Sequence, residues 1–323
     1  MSFKVIQPGL LSVLQDLGRY GQHNIGLTNG GPLDSEAFLW ANRILKNSPN
    51  ACAIEVSFGG LHLVAQTESF LCVTGAQLEL SINDVVKPMW TSHKVRKEDQ
   101  IKLGFSSHGC RSYLGVAGGF SIVPSFGSAA TVMREKIGGL NGTKLTGDDV
   151  LPCETTKELE RLSLALKDQP KYGPQNAKHG DGDTLLRLLP GYQHQNFDSL
   201  TRARFFTSQY QVTDRSDRMG MRLEGPSVAC NTQNMLSEGI CMGAVQVPAD
   251  GQPIVLLNDR QTIGGYPKIG SVLAKDAAKL AQLRPGETVR FEAVDLFQAQ
   301  TINTLAEHKF ANTPLHRVKD ALP

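Results

Sequence analysis

The sequence predicts a mainly β protein with a few helices, and two observations support this prediction. Short apolar runs with alternating polarity recur through the first half of the chain, and glycine, aspartate or asparagine separates them. These runs span residues 54–56, 61–64, 70–73, 78–82, 101–103 and 113–117. Many short strands at this spacing favour a closed or nearly closed β-barrel over a sheet built from βαβ units.

The composition fits a globular chain with room for two domains. The chain has 323 residues, 40% of them hydrophobic and 20% charged, which is enough for two cores of ordinary size. The formal net charge is only +2, and no basic block with interleaved aromatic residues occurs, so nucleic-acid binding is excluded.

A charged segment rich in proline and glycine divides the chain. We predict a first domain over 1–160 that includes an N-terminal helix, a linker over 161–183, a second domain over 184–295, and a C-terminal tail over 296–323. The sequence allows at most one short helix before the second domain, over 157–166, and a polar helix around 295–308 in the tail.

The sequence predicts a cytoplasmic protein without a metal site. The N-terminal segment lacks the uninterrupted apolar core of a signal peptide, and no run approaches the ~20 apolar residues of a membrane span. The six cysteines are scattered without a CxxC pair, and the eight histidines show no ligand spacing, so we expect reduced thiols and no metal.

The N-terminal region is predicted to contain a strand, a polar loop and a helix, in that order. The loop carries Gln15, Asp16 and Arg19 between glycines, and this pattern favours a turn in which Asp16 pairs with Arg19. Asp34 is a suitable N-cap for a helix over 34–46, because apolar residues follow it at helical spacing.

One turn type recurs along the chain. Residues 97–101, 146–150 and 285–289 each place a turn and an acidic residue just before a predicted strand. A glycine-rich segment followed by proline also precedes both the helix at 34–46 and a second predicted helix at 274–282. These recurrences indicate two similar halves.

Residues 214–270 form the segment that most resembles a binding site. Asp-Gly lies between two apolar runs, 244–247 and 253–257, and this arrangement predicts a β-hairpin. Polar residues follow the second run, and four arginines lie in the same segment. Guanidinium groups beside carboxylates and amides suit the recognition of a planar anion, so we predict that these side chains converge on one cleft. The alternative is a set of surface ion pairs, each contributing little.

Several motifs together resemble the biotin-dependent carboxyltransferase family (allophanate hydrolase subunit 2-like), and specifically its 5-oxoprolinase branch (PxpC/KipA). In order, the motifs are Gln15-Asp16-Leu17-Gly18-Arg19, Gly30-Gly31-Pro32-Leu33-Asp34, Ala41-Asn42-Arg43, Val116-Ala117-Gly118-Gly119, Asp217-Arg218-Met219-Gly220, Ser237-Glu238-Gly239, Gly243-Ala244-Val245-Gln246-Val247-Pro248 and Gly264-Gly265-Tyr266-Pro267. The resemblance implies tandem cyclophilin-like β-barrel domains.

The same resemblance implies a function and its partners. It implies one component of an ATP-dependent 5-oxoprolinase complex, which opens the lactam 5-oxoproline to glutamate, with ATP used by the complex. The implied partners are a KipI-like component and a LamB/YcsF-like component of the same complex. Biotin is not expected on this chain, because the sequence contains no Met-Lys-Met acceptor.

On this hypothesis, nine residues are assigned to the site. The predicted catalytic residues are Asp259, Tyr266 and Lys268. The predicted substrate-binding residues are Arg218, Arg222, Gln261, Gln15, Asp16 and Arg19. Two other functions stay open at this stage: carboxyl transfer from carboxybiotin to a urea-like amide, and a KipA-type regulator that binds a KipI-like kinase inhibitor.

Overall fold

The computed structural model describes residues 1–172, 183–230 and 235–318. The mainly β fold is confirmed, and the chain folds into two compact units. Unit 1 comprises Met1–Tyr20, Asn29–Pro170 and Thr313–Pro323, and unit 2 comprises Gly21–Thr28 and Lys171–Asn312. Within the described residues, no helix is both long and apolar enough to span a membrane.

The strands and helices of the described residues are numbered in chain order. The strands are β1 (Ser2–Pro8), β2 (Leu11–Gln15), β3 (Ala53–Ser57), β4 (Leu61–Ala65), β5 (Ser69–Gln77), β6 (Leu80–Ile82), β7 (Val85–Lys87), β8 (Ser92–Val95), β9 (Gln100–Leu103), β10 (His108–Val116), β11 (Val150–Pro152), β12 (Leu162–Leu164), β13 (Thr184–Pro190), β14 (Tyr210–Val212), β15 (Gly220–Glu224), β16 (Glu238–Gly239), β17 (Ala244–Gln246), β18 (Ile254–Leu256), β19 (Ile263–Gly264), β20 (Lys268–Val272), β21 (Thr288–Ala293) and β22 (Leu315–Arg317). The α-helices are α1 (Ser35–Ile44), α2 (Ser199–Thr207), α3 (Ala274–Leu280) and α4 (Leu296–Asn312).

Unit 1 contains two main antiparallel sheets around one apolar core. The strand orders are β11-β1-β4-β9-β6-β7 and β2-β3-β10-β5-β8. Core residues come from both sheets, including Phe3, Leu63 and Leu114, each with 0% exposure. The predicted helix is confirmed as α1, and the Asp34 carboxylate caps it by accepting a hydrogen bond from the Ala37 N–H at 3.0 Å.

Unit 2 contains a closed seven-stranded barrel in the order β13-β20-β17-β18-β15-β14-β21. Its strands are antiparallel except for the parallel pair β13 and β21. Helix α2 packs against β21, where the ring of Phe205 stacks on the ring of Phe291 at 4.4 Å between centroids. A closed barrel, as the sequence predicts, is present in unit 2, whereas the runs over 54–117 that support the prediction lie in unit 1, whose strands belong to separate sheets.

The predicted recurrent turn has one geometry at its three positions. In each turn the acid accepts a hydrogen bond from the backbone N–H three residues earlier: Arg96 to Asp99 at 2.7 Å, Thr146 to Asp149 at 2.7 Å, and Arg284 to Glu287 at 2.6 Å. The residue before each acid has a positive φ: Glu98 at 75°, Asp148 at 71° and Gly286 at 93°. Two of these turns lie in unit 1 and one lies in unit 2.

The predicted linker and tail differ from the structure. Residues 162–164, which lie inside the predicted helix at 157–166 and the predicted linker, form β12 and pair with β22 near the C-terminus. The alternating leucines of β12 explain the difference, because Leu162 and Leu164 are buried on unit 1. The tail helix extends to Asn312 rather than ending near 308. Residues 173–182 of the predicted linker lie outside the described residues.

The six cysteines are free thiols, and four of them are buried. Burial raises the pKa of Cys153 to about 11. Burial also raises the pKa values of Cys52 and Cys72 well above the usual thiol value, so these side chains act as small apolar residues. Cys241 is exposed.

A buried carboxylate in unit 2 makes the free energy of unfolding depend on pH. The Asp276 carboxylate is fully buried and accepts hydrogen bonds from Arg187 Nε at 2.6 Å and Arg187 Nη2 at 2.7 Å. Burial alone would raise the pKa of Asp276, but the Arg187 hydrogen bonds and the Lys279 charge outweigh it and hold the pKa below its usual value. A carboxyl whose pKa is lowered by folding stabilises the protein above its unfolded pKa and loses that contribution as the pH falls.

We therefore expect Asp276→Asn to lower the free energy of unfolding at pH 7 by about 1–3 kcal/mol. The difference from wild type should shrink as the pH falls below about 4, the ordinary aspartate value. Urea denaturation followed by circular dichroism at pH 7 and pH 3.5 measures both effects. Asp250→Asn is the control, because an exposed asparagine can keep the turn hydrogen bond from the Gln252 N–H. An undiminished difference at pH 3.5 would contradict the ionic origin.

Candidate functional site

The hairpin predicted in residues 214–270 is confirmed. Strands β17 and β18 pair antiparallel, with Val245 opposite Val255 and Gln246 opposite Ile254. The connecting turn closes through a hydrogen bond from the Gly251 N–H to the Pro248 carbonyl at 2.9 Å, and Gly251 has a φ of 74°. The positive φ explains why glycine follows Asp250 in this turn.

Arg218 and Asp259 form a buried, two-point ion pair. Arg218 Nε lies 2.9 Å from Asp259 Oδ2, and Arg218 Nη2 lies 3.0 Å from Asp259 Oδ1. Their side chains are 3% and 5% exposed. The backbone adds a hydrogen bond from the Asp259 N–H to the Arg218 carbonyl at 3.0 Å. This geometry favours a structural role for both side chains over the anion-binding and catalytic roles suggested by the sequence.

The other arginines of this segment differ in burial and in their contacts. The Arg260 guanidinium is buried and donates to the Ile240 carbonyl at 3.1 Å, which fixes the loop after β18. Arg222 lies on β15 between the buried residues Met221 and Leu223, and is itself exposed. Arg215 is also exposed. Strand β15 directs Arg222 away from the barrel core, and the convergence of the four arginines on one cleft stays a prediction.

Gln15, Asp16 and Arg19 belong to a buried network in unit 1. Gln15 Nε2 donates to the Thr131 carbonyl at 3.0 Å, and Asp16 Oδ2 accepts from the Ala129 N–H at 2.7 Å. Arg19 Nη2 donates to the Ala130 carbonyl at 2.7 Å, and the side chain is 1% exposed. All three residues thus hold the segment 128–131, and their predicted contact with substrate remains a prediction.

Lys268 is the centre of a polar cluster in unit 2. Its ammonium group binds the Glu238 carboxylate, and the two side chains are 12% and 34% exposed. Glu238 also accepts hydrogen bonds from the Tyr192 hydroxyl and from Gln193 Nε2, the latter at 2.5 Å. Gln193 in turn accepts from the Lys268 backbone N–H through Oε1 at 2.8 Å. We call Tyr192, Gln193, Glu238, Gln246 and Lys268 the polar cluster.

A β-bulge determines which way Lys268 points. On β17 and β20, Ala244 pairs with Ser271 and Val245 with Gly270, but Gln246 pairs with Lys268 rather than with Ile269. The additional residue on β20 reverses the alternation of side chains, and directly opposed residues share one face of a sheet. The bulge therefore places Lys268 beside Gln246, whereas an uninterrupted ladder would direct it to the other face.

A short two-stranded ribbon covers this face of the barrel. Strands β16 and β19 pair with Glu238 opposite Gly264, and the adjacent Ile240 packs against Ala244 and Leu256. The buried Gln246 side chain, 2% exposed, reaches the underside of Gly264. Together the ribbon and the bulge bring a cation, a carboxylate and two amides together beside a glycine-rich segment.

The close packing at Gly264 gives a prediction. A Cβ at this position would lie 2.5 Å from Ile240 Cδ1 and 2.9 Å from Gln246 Nε2, so Gly264→Ala should displace both side chains. We expect a loss of about 1–3 kcal/mol in the free energy of unfolding, together with weaker binding at the polar cluster. Thermal denaturation measures the first effect and a substrate titration the second.

Gly239→Ala is the matched control for Gly264→Ala. Gly239 lies in the same ribbon, and a Cβ there meets no atom of the described residues within 4 Å. Equal effects of the two substitutions would show that the contact with Gln246 is unimportant.

Sequence reasoning did not single out four members of the candidate site: Tyr192, Gln193, Glu238 and Gln246. Glu238 and Gln246 lie inside motifs that carry the family resemblance, Ser237-Glu238-Gly239 and Gly243-Ala244-Val245-Gln246-Val247-Pro248, so a signal was present. Two other predicted residues, Gln261 and Tyr266, are exposed on the loops that flank β19. Their predicted roles, like that of Lys268, stay predictions.

A groove of about 890 Å³ in unit 1 contains no predicted site residue. Its lining includes Lys94 and Glu160, and each already has an ionic partner: Lys94 lies 2.6 Å from Glu68, and Glu160 binds Lys46.

The chain belongs to the family described as carboxyltransferase domain, subdomain A and B, which matches residues 25–293. It is 36% identical over 299 residues to the C subunit of the 5-oxoprolinase of Escherichia coli (strain K12), covering 92% of each chain. It is also 28% identical over 312 residues to the urea amidolyase of Lachancea kluyveri, covering 90% of this chain but only 17% of that protein.

A solved structure supports the same fold. The crystal structure of the Kluyveromyces lactis urea carboxylase superposes with a TM-score of 0.86 at 25% identity, covering 99% of this chain and 30% of that chain. The two-unit β architecture is thus shared with one region of a larger protein.

Proposed function

We propose that this chain is one component of an ATP-dependent 5-oxoprolinase complex that opens 5-oxoproline to glutamate. The observation that carries the proposal is the 36% identity to a protein named as the C subunit of 5-oxoprolinase, which extends over 92% of both chains. Because the alignment covers nearly all of both chains, the two proteins share their whole length and not just one domain, which favours a common role. The proposed partners are a KipI-like component and a LamB/YcsF-like component.

The chemistry of the reaction explains the need for ATP. A lactam carbonyl is stabilised by resonance, and phosphorylation of its oxygen would give water a much better electrophile. Charge then develops on carbonyl and phosphoryl oxygens, and preorganised cationic and N–H donors stabilise such charge. Lys268 is suited to this task, since β20 and the contact with Glu238 hold its ammonium group in place.

We assign the polar cluster to substrate binding, with Tyr266 on the adjacent loop as a further contact. The Tyr266 side chain is half exposed, so its phenol is accessible to a ligand. Glu238 balances the Lys268 charge and accepts hydrogen bonds from Tyr192 and Gln193, which fixes the carboxylate.

Carboxyl transfer is the second candidate function. The description of the family and the similarity to urea amidolyase favour it. In that case carboxybiotin would have to come from another chain, and the polar cluster would hold a urea-like amide. Inhibition of the activity by avidin would support this alternative.

The test is to produce the chain together with its proposed partners and to purify the complex. We expect ATP hydrolysis to depend on 5-oxoproline and glutamate to form in equal amount, without inhibition by avidin. A stable complex that hydrolyses no ATP in the presence of 5-oxoproline would refute the 5-oxoprolinase proposal. A complex without any substrate-dependent reaction would instead favour a KipA-type regulator.

A further inference from the structure

The amide of Gln246 is a buried donor without a hydrogen-bond partner in the described part of the chain. The side chain is 2% exposed, and its Nε2 atom is buried with no hydrogen-bond acceptor among the described residues. Burial of an unsatisfied donor costs about 1–3 kcal/mol. Native proteins satisfy nearly all such groups, so a donor left open beside a polar cluster indicates a missing ligand.

The surroundings of Gln246 restrict what this ligand can be. Gln246 lies directly opposite Lys268 on the neighbouring strand, and its amide reaches Gly264, which pairs with Glu238. The position is therefore enclosed by the barrel strand on one side and the ribbon on the other. Little space is left between the amide and the ribbon, because a Cβ on Gly264 would already lie 2.9 Å from Gln246 Nε2.

The charge of the cluster favours a neutral group on the ligand. The Lys268 ammonium is balanced by the Glu238 carboxylate, so the two together supply no net charge. An uncharged N–H donor beside a balanced pair is better matched to an amide oxygen than to a carboxylate, which would lack a counter-ion.

We propose that Gln246 donates its side-chain N–H to the carbonyl oxygen of an amide substrate, and so positions the amide against Lys268. This inference rests on the proposed function, in which the amide is the lactam of 5-oxoproline. Gln246 is then a binding residue that distinguishes amides from compounds lacking the carbonyl.

The test uses Gln246→Met, which keeps the size of the side chain and removes the amide. In the assembled complex we expect the KM for 5-oxoproline to rise about tenfold or more, as the loss of one buried hydrogen bond requires. In the isolated chain we expect the unfolding midpoint to stay equal or to rise, because the substitution removes an unsatisfied polar group.

Gln252→Met is the matched control within the same barrel. The Gln252 amide is partnered, since it accepts from the Gly225 N–H at 2.9 Å and donates to the Gly225 carbonyl at 3.2 Å. Its replacement should lower the unfolding midpoint and leave KM unchanged, which is the reverse of the pattern expected for Gln246→Met.

Two results would overturn the inference. One is an unchanged KM for Gln246→Met in a complex that turns over 5-oxoproline. The other is a lower unfolding midpoint for Gln246→Met in the isolated chain, which would mean that the amide has a structural partner. The stability measurement needs no substrate, so it tests whether the Gln246 amide lacks a structural partner even if the wild-type complex is inactive with 5-oxoproline. Such inactivity would refute only the proposed function.

Discussion

Replacement of Lys268 by methionine is expected to lower 5-oxoproline-dependent ATP hydrolysis by about a hundredfold or more, the usual effect of removing one preorganised donor. Methionine keeps the aliphatic part of the side chain but removes the ammonium group. The Glu238 carboxylate would then lose its counter-charge while Tyr192 and Gln193 still hold it in place. Steady-state kinetics of the assembled complex measures the effect.

The fold should tolerate this substitution. Glu238 is one-third exposed, and partly exposed ion pairs contribute about 1 kcal/mol or less to stability. Lys4→Met is the control, because Lys4 forms a surface ion pair with Asp148 at 2.8 Å in unit 1. Wild-type kcat/KM in a correctly assembled Lys268→Met complex would remove Lys268 from the proposed mechanism.

The second large effect is expected from Arg218→Met. This change removes the guanidinium that pairs with the buried Asp259 carboxylate, and breaking such a pair costs about 3–5 kcal/mol of unfolding free energy. Chemical denaturation of the isolated chain, followed by circular dichroism, measures the loss. Asp259→Asn should destabilise the chain in the same direction, because both substitutions break one ion pair.

Arg222→Met provides the control for Arg218→Met. Arg222 is exposed on β15, only four positions further along the chain, and exposed substitutions usually stay within about 0.5 kcal/mol of wild type. If Arg218 instead bound the substrate, Arg218→Met would unfold like wild type and lose activity in the complex. That outcome would restore the role suggested by the sequence.

Local features of this fold were predictable because their chemistry is contained in a few neighbouring residues. The Asp34 cap, the Asp250-Gly251 turn and the three acidic turns each involve partners within a few positions in the chain. Turn residues and capping residues carry this information in the sequence itself.

The candidate site was only partly predictable, since distant partners decide it. Arg218 and Asp259 were both recognised, but their mutual contact, which favours a structural role, spans 41 positions. No residue pattern around Ile269 predicts the bulge, yet the bulge places Lys268 beside Gln246. Similarly, nothing near residues 162–164 reveals that their strand partner lies at 315–317.

The interleaving of the two units constrains how the protein can be made. The chain leaves unit 1 after Tyr20, returns at Asn29, leaves again after Pro170 and returns at Thr313. During synthesis, unit 1 therefore cannot acquire β22 beside β12, or the Arg43 hydrogen bond to the Thr313 carbonyl at 2.8 Å, until unit 2 has emerged from the ribosome. A gene fragment that stops at residue 170 would therefore lack β22, the strand that pairs with β12.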